Sequence, residues 1–353
     1  MTDSVVHPGN TDPTSLASAQ TIQNIDWITT PCPACGSSEF TIAHTGKDWI
    51  LNSATPTRIV RCDSCGLHYT NPRPADHDLG KFYPNDYAPY QGEEKDKTPP
   101  PGSLREAILL QAYGPPERKP RGLRRYIAMI LLAIKGPESF GFGVPWHGQG
   151  RLLDFGCGGG KFLKRMTSVG WKTTGIDFSE AAVEAVRKKG IPVYQGTLPN
   201  ENLAPGSFDI VTMRHSLEHV PDPVAILKAA RDLLAKDGNL IIRVPNFASW
   251  EVDYFGDASP RLDIPRHLTH FTPATLKAML EQSGYETIAV KQICRANWLR
   301  KAAKLSERGP RRKFAFLFRI TFFCRIAALA SQLAGRGNEI IAIARLPGEK
   351  THR

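Results

Sequence analysis

The chain has 353 residues, 41% of them hydrophobic and 22% charged, which supplies cores for about two domains and excludes wholesale disorder. The net charge is +11, but it is concentrated: Arg295 to Arg325 carries a local +9 and Arg105 to Lys135 a local +5, leaving −3 for everything else. A mildly acidic body with two basic insertions is not the charge distribution of a protein that coats nucleic acid.

In chain order, residues 1–30 read as a polar, disordered leader with neither the basic start nor the apolar run of a signal peptide, so a cytoplasmic address is expected. Residues 31–71 form a small module holding two cysteine pairs. Residues 72–150 are a connection that begins with the Tyr- and Pro-rich stretch NPRPADHDLGKFYPNDYAPY and contains two short apolar helices, Leu104 to Tyr113 and Leu123 to Lys135. From Arg151 strands and helices alternate. RLLDF, WKTTGID, IPVY, SFDIVTM, NLIIRV, YETIAVKQI and NEIIAIARL read as seven strands. Between them lie helices from Lys161 to Val169, from Ser179 to Gly190, from Asp222 to before Gly238, and from Thr272 to Gly284, several opened by a capping residue or by Pro at the first turn. The fold class is therefore α/β, with a doubly wound, seven-stranded and mostly parallel sheet covered on both faces over 151–293 plus 338–346. Residues 294–337 are a basic amphipathic helical insertion.

LLDFGCGGG places glycines where the first of these strands turns into a helix, and Asp177 closes the next strand 21 residues beyond Gly156. A backbone free of Cβ atoms can approach a ligand there, the helix start offers N–H groups to a carboxylate, and the second acid can accept ribose hydroxyls. Lys161 stands where a dinucleotide fingerprint needs its third glycine, and Phe162 follows Gly160-Lys161 where a phosphate loop needs Ser or Thr, so both of those chemistries are disfavoured.

These segments, together with GIDFS, SFDIVTMRHSLEHVPDP, GNLIIRVPN and RHLTHFTPATLKAMLEQSGY, resemble the class I S-adenosylmethionine-dependent methyltransferases, especially the ubiquinone-biosynthesis O-methyltransferase branch. The resemblance covers about Arg151 to Ile293 plus the last strand. It implies that the loop with Gly156, Gly158 and Gly160 wraps the methionine part of the cofactor, that Asp154 helps to hold its amino group, and that Asp177 binds its ribose. Phe178, Gly196, Met213 and His215 complete the implied cofactor site. The acid often found after the third strand for adenine is absent, since Gly196-Thr197-Leu198 stand there.

Sulfonium methyl transfer needs alignment and, for a hydroxyl or carbon nucleophile, a base. The resemblance puts His215, Glu218 and His219 on the methyl side of the cofactor. Related quinone O-methyltransferases carry an acid followed by Glu-His in this segment, and a divalent ion is linked to them. His219 reads as a base, a metal ligand or a structural cap. Arg266, His267 and His270 precede the next helix, where acceptor pockets form, and His267 is either catalytic or substrate-binding or else a packing residue.

Cys32-Pro-Ala-Cys35-Gly and Cys62-Asp-Ser-Cys65-Gly are two knuckles whose four thiolates fit structural zinc. The arrangement is similar to the N-terminal zinc module of methyltransferases acting on carbon atoms of nucleotide-linked sugars. RRKFAFLFRITFFCRIAALASQLAG has nearly the length of a membrane span, but Arg319 and Arg325 inside it argue for an interfacial helix or a substrate lid. The expected function is methyl transfer to a small-molecule, saccharide or lipid-linked acceptor at oxygen or carbon, in the cytoplasm or at the inner face of the membrane. The alternatives are an RNA or protein methyltransferase and a non-catalytic zinc and membrane adaptor. Met213-Arg214-His215-Ser216 lacks the motif of amine-methylating base enzymes, which argues against a nucleic-acid partner.

Overall fold

The computed structural model describes residues 24–48, 57–83, 99–135, 144–307 and 313–348, so most of the expected leader lies outside the described residues. The cysteine module extends past the expected 31–71 at both ends, because β1 (Trp27–Ile28), in the expected leader, pairs with β5 (Arg73–Pro74); between them lie β2 (Phe40–Gly46), β3 (Thr57–Cys62) and β4 (His68–Thr70). Strands β2, β3 and β4 pair in antiparallel succession. The connection holds α1 (Leu104–Tyr113), started by the Ser103 hydroxyl accepting from the Glu106 amide, and α2 (Gly122–Lys135). Helix α1 is pinned beneath the large sheet, since the Trp171 indole donates to the Tyr113 carbonyl at 2.8 Å.

The large domain runs β6 (Arg151–Phe155), α3 (Lys161–Ser168), β7 (Lys172–Asp177), α4 (Glu180–Arg187), β8 (Val193–Gln195), β9 (Phe208–Arg214), α5 (Pro223–Leu233), β10 (Leu234–Pro245), α6 (Trp250–Phe255), β11 (Thr269–His270), α7 (Pro273–Gln282), β12 (Glu286–Ile293), α8 (Ala296–Ser306), α9 (Thr321–Leu333) and β13 (Glu339–Arg345). Seven strands form one sheet in the order β12-β13-β10-β9-β6-β7-β8, with β13 antiparallel to both of its neighbours. Alternation along the strands sorts the core. Leu153, Val211 and Ile242 face α5 and α7, while Leu152, Ile210 and Ile241 face α1, α3 and α4. Ser179, Asp222 and Thr272 cap α4, α5 and α7 as expected, with Pro223 and Pro273 at the first turns.

Two boundaries differ from the sequence expectation. Helix α5 stops at Leu233, because the backbone of Leu234 is already taken by Phe208 of β9, and an irregularity absorbs the residues up to Asn239. Strand β8 begins at Val193, because Pro192 has no N–H to give to a ladder.

The cysteine module is not an appendage. Strand β11, from the segment ahead of α7, pairs antiparallel with β4 and becomes the edge of the module's own sheet. Val60, Leu67 and Tyr69 share a core with Leu276, Met279 and Leu280 of α7. Above that joint the buried Arg266 guanidinium donates to both Asp48 oxygens at 2.8 and 2.9 Å and to Asp263 at 2.6 Å.

Removing one partner of a buried ion pair strands the other, at about 3–5 kcal/mol. Arg266→Met, which takes the shared cation from two buried carboxylates, is expected to cost about that much, and Asp48→Asn distinctly less because Asp263 still neutralises the cation. Denaturant unfolding of the two variants checks this, and equal losses would contradict the shared-cation arrangement.

Candidate active site

The switch point of the sheet lies between β6 and β9, where the chain leaves to opposite sides, and the carboxyl ends of β6, β7 and β9 carry the expected cofactor residues. Gly156 has φ +71°, and its N–H donates to the Ile176 carbonyl at 2.8 Å. A Cβ on Gly156 would lie 2.5 Å from the Ser216 Cβ, and one on Gly160 2.7 Å from Val186, so the turn is closed against side chains on both flanks. The Gly158 N–H donates to one Asp177 oxygen at 2.8 Å and the Ser179 N–H to the other at 2.9 Å, which ties the glycine turn to the end of β7. Burial raises the Asp177 carboxyl above its usual range despite these donors.

Asp154 is buried and accepts from the Thr212 hydroxyl at 2.5 Å. Burial pushes its carboxyl up to about 7, with the nearby Asp177 charge in the same direction and Arg214 and Thr212 opposing. Two buried acids at neighbouring strand ends suit a ligand with a cationic group at one end and hydroxyls at the other. Gly196, at φ +121°, donates its N–H to the Asp177 carbonyl. Phe178 is half exposed, with the Tyr83 ring 5.4 Å away and edge-on. Met213 is fully buried in the core layer, so only its main chain stands at the strand end.

Across from the glycine turn the structure gathers His219 and His267, with rings 4.6 Å apart and edge-to-face, and Glu218, which is fully buried. His219 Nδ1 lies 3.1 Å from the Arg266 carbonyl and 2.8 Å from the Tyr83 hydroxyl. A carbonyl only accepts, so Nδ1 carries a proton, and in the uncharged tautomer this leaves the lone pair on Nε2. His267 does the same, Nδ1–H donating to the Arg261 carbonyl at 3.0 Å, and burial with His219 beside it lowers its pKa to about 4. Glu218 is held at about 2: the hydrogen bond with His215 leads the effects that outweigh its burial, and its Oε2 has no hydrogen-bond partner. The Tyr83 ring lies 5.9 Å from that of His219 and 5.4 Å from that of Phe178, the residue after Asp177, which places this cluster beside the cofactor end. One ligand atom from each of Glu218, His219 and His267 falls within 4.8 Å of the others, so the trio can hold a cation.

His215 is at the rim of this cluster in a different role. It has φ +56°, its ring lies 3.3 Å from Glu218 and 3.1 Å from Glu339, and its burial is outweighed by those two acids, which raise its pKa. Glu339 is in turn held by Arg243 and Arg295. His270, also buried, accepts or donates to the Thr70 hydroxyl at 3.1 Å in the joint with the cysteine module. The sequence did not single out Tyr83, although the Tyr- and Pro-rich stretch was its one visible signal. Nothing in the sequence pointed to Asp48 or Glu339.

At the cysteine module, Cys32 and Cys65 sulfurs lie 3.6 Å apart and those of Cys35 and Cys62 3.5 Å apart, and all four sit within 4.8 Å of one another. Tetrahedral zinc with bonds of about 2.3 Å sets sulfurs about 3.8 Å apart, so the cage fits that ion. Backbone N–H groups of Ala34 and Cys35 point at the Cys32 sulfur, and those of Ser64 and Cys65 at Cys62.

A family described as a methyltransferase domain matches residues 111–290. Ubiquinone biosynthesis O-methyltransferases of Xanthomonas euvesicatoria pv. vesicatoria and Xanthomonas axonopodis pv. citri are each 34% identical over 171 residues, 45% of this chain and 71% of theirs. A solved S-adenosylmethionine-dependent methyltransferase of Thermotoga maritima, described as a possible histamine N-methyltransferase, is 21% identical with a TM-score of 0.39, over 56% of this chain and 82% of that one.

Proposed function

The chain belongs to the S-adenosylmethionine-dependent methyltransferase family, and on that premise we propose that it methylates a hydroxyl oxygen of a small or lipid-linked acceptor, with His219 as the base. The observation that carries this reading is the orientation of His219, whose ring is tethered at Nδ1, leaving Nε2 to receive a proton, and is linked through Tyr83 to the Asp177 end of the cofactor site. The O-methyltransferase relatives favour oxygen over carbon as the nucleophile. His219 Nε2 would take the proton of the acceptor hydroxyl, and bound S-adenosylmethionine would supply the electrophilic methyl group, its sulfur departing as a neutral thioether. Ionised Glu218 then stabilises the imidazolium. Asp154 holds the cofactor's amino group and Asp177 its ribose, with the glycine turn against the methionine carboxylate.

A second use of the same trio is favoured by the unpartnered Glu218 oxygen and by two histidines whose Nδ1–H groups are both given to carbonyls, the usual support for metal-bound imidazoles. Glu218, His219 and His267 would then hold a divalent ion, which would supply Lewis-acid polarisation of the acceptor hydroxyl. The four cysteines hold structural zinc in this proposal, one ion per chain.

Loss of a general base costs about 10²–10⁴ in rate. His219→Ala is expected to lower kcat within that range while calorimetric affinity for S-adenosylmethionine stays as in the unaltered protein. Tyr83→Phe, which leaves the Arg266 carbonyl in place, costs less. A His219→Ala variant with full kcat would sink the base assignment, and activity abolished by a chelator and restored by a divalent salt would select the metal form of the site.

Cofactor affinity should also depend on pH. A cationic amino group binds the ionised form of Asp154, whose carboxyl is pushed up to about 7. Affinity therefore rises as pH climbs through about 7 and levels above it, by close to tenfold from about pH 6 to about pH 7.5. The profile of Asp154→Asn should be flat. A pH-independent affinity in the unaltered protein would remove Asp154 from the amino-group site.

Elemental analysis of protein purified without chelator should give one zinc per chain. Cys32→Ser should lose it and loosen the β4–β11 joint, seen as faster hydrogen exchange at Thr269 and His270. Metal-free protein with a protected joint would contradict the zinc assignment.

A further inference from the structure

Helices α2 and α9 bury their small residues and expose their large ones, the reverse of a helix that folds onto a core. Helix α9 turns Cys324, Ala328 and Ser331 inward, against Leu299, Ala302 and Ala303 of α8. Its outer side carries Phe322, Arg325, Ile326, Leu329 and Leu333 at spacings of three and four, and Phe322 and Leu333 are 65% and 80% exposed. The turn ahead of it adds exposed Phe314, Phe316 and Ile320. On α2, Leu123, Tyr126, Ile130 and Ile134 form the same kind of exposed stripe, and Ala128 is the buried residue.

Charge separates the possible occupants. From Arg295 to Gly337 there is one acid, Glu307, paired with Arg319 at 3.1 Å, while Lys304, Lys313 and Arg325 are exposed around the apolar stripe. Around α2, Lys119, Arg121, Arg124 and Arg125 are exposed in the same manner. Among the described residues no helix is long and apolar enough to cross a membrane. A short helix with large apolar side chains on one side, rimmed by cations, matches a surface that is greasy inside and negative at its border. The geometry points to a docking face for an anionic lipid bilayer, formed by Phe314 to Leu333.

The face is mounted beside the acceptor side of the site. Phe318, from the turn ahead of α9, packs on Trp250 and Phe255 at 5.5 and 5.8 Å, and on α8 Trp298 lies beneath the Arg261 guanidinium at 4.1 Å, in the segment that carries Arg266 and His267. Docking by α9 therefore brings the acceptor segment to the lipid boundary. The proposal concerns the surface alone and stands whether oxygen or carbon is methylated.

Sedimentation with vesicles tests it. The full chain should pellet with phosphatidylcholine vesicles containing one third phosphatidylglycerol at low salt, be largely released by high salt, and stay in the supernatant with pure phosphatidylcholine. The variant Phe322→Ser, Ile326→Ser, Leu329→Ser should lose at least tenfold in vesicle affinity with cofactor affinity unchanged, which shows that the fold survives. Arg319→Gln with Arg325→Gln should weaken binding and flatten its salt dependence. Unaltered protein that remains in the supernatant with anionic vesicles overturns the proposal. So does a triple-serine variant that pellets like the unaltered protein, or a stable dimer in analytical ultracentrifugation that the triple variant dissolves, since a second copy would then cover the face.

Discussion

A guanidinium without water must be answered by carboxylates, and Arg266 takes one from each side of a joint. Asp48 belongs to the cysteine module and Asp263 to the acceptor segment, so the cation holds the two together where β4 and β11 share an edge. The same residue presents its carbonyl to His219 Nδ1. Clamping the side chain therefore fixes the peptide that sets which nitrogen of His219 carries the proton. His267, the next residue, is tied at both ends of its own unit, its carbonyl accepting from Thr70 of β4 and its ring donating to Arg261. The cysteine module thus bears on the geometry of His219 and His267 through one ion pair and one two-stranded joint.

The ion network on the other flank makes the first histidine after β9 unsuited to receive a proton. His215 sits between two carboxylates, Glu218 and Glu339, which favour its protonated form, and a protonated imidazole has no lone pair to receive a proton. Its positive φ is a strained conformation for a non-glycine residue, and it persists because the ring is held on both sides and its N–H donates to the Arg243 carbonyl. In return His215 holds the Glu218 oxygen that lies 3.9 Å from the His267 ring, and the other Glu218 oxygen is left without a hydrogen-bond partner. Three histidines close in sequence or space are thus divided by their surroundings into one clasp and two rings whose Nδ1–H groups are given to carbonyls.

The cofactor end was legible in the sequence because its parts are local. Asp154, the glycines and Asp177 lie within one strand–helix–strand unit, where spacing alone decides what can meet. The acceptor end is assembled from afar: Tyr83 reaches His219 across 136 positions, and Asp48 reaches Arg266 across 218. No periodicity encodes such a meeting. His267 left the choice between function and packing open in the sequence, and the structure shows a residue that is buried, neutral and within the cluster at once. The early end of α5 was equally invisible, since the residue that stops it, Leu234, is claimed by a tertiary partner on β9 rather than by a local breaker.

Sequence pattern also could not say which stripe of α9 faces the body, because the helix has two. Cys324, Ala328 and Ser331 make one at helical spacing, and Phe322, Ile326, Leu329 and Leu333 make the other. Hydrophobicity alone would turn the larger stripe inward. Close packing decides otherwise: α8 offers Ala302 and Ala303 at the contact, and small side chains on both helices let the backbones approach and fill the space between them. The burial that folds this pair is therefore carried by residues of few atoms. The phenylalanines, isoleucine and leucines outside contribute little to folding, which leaves their apolar area available to whatever surface the chain meets.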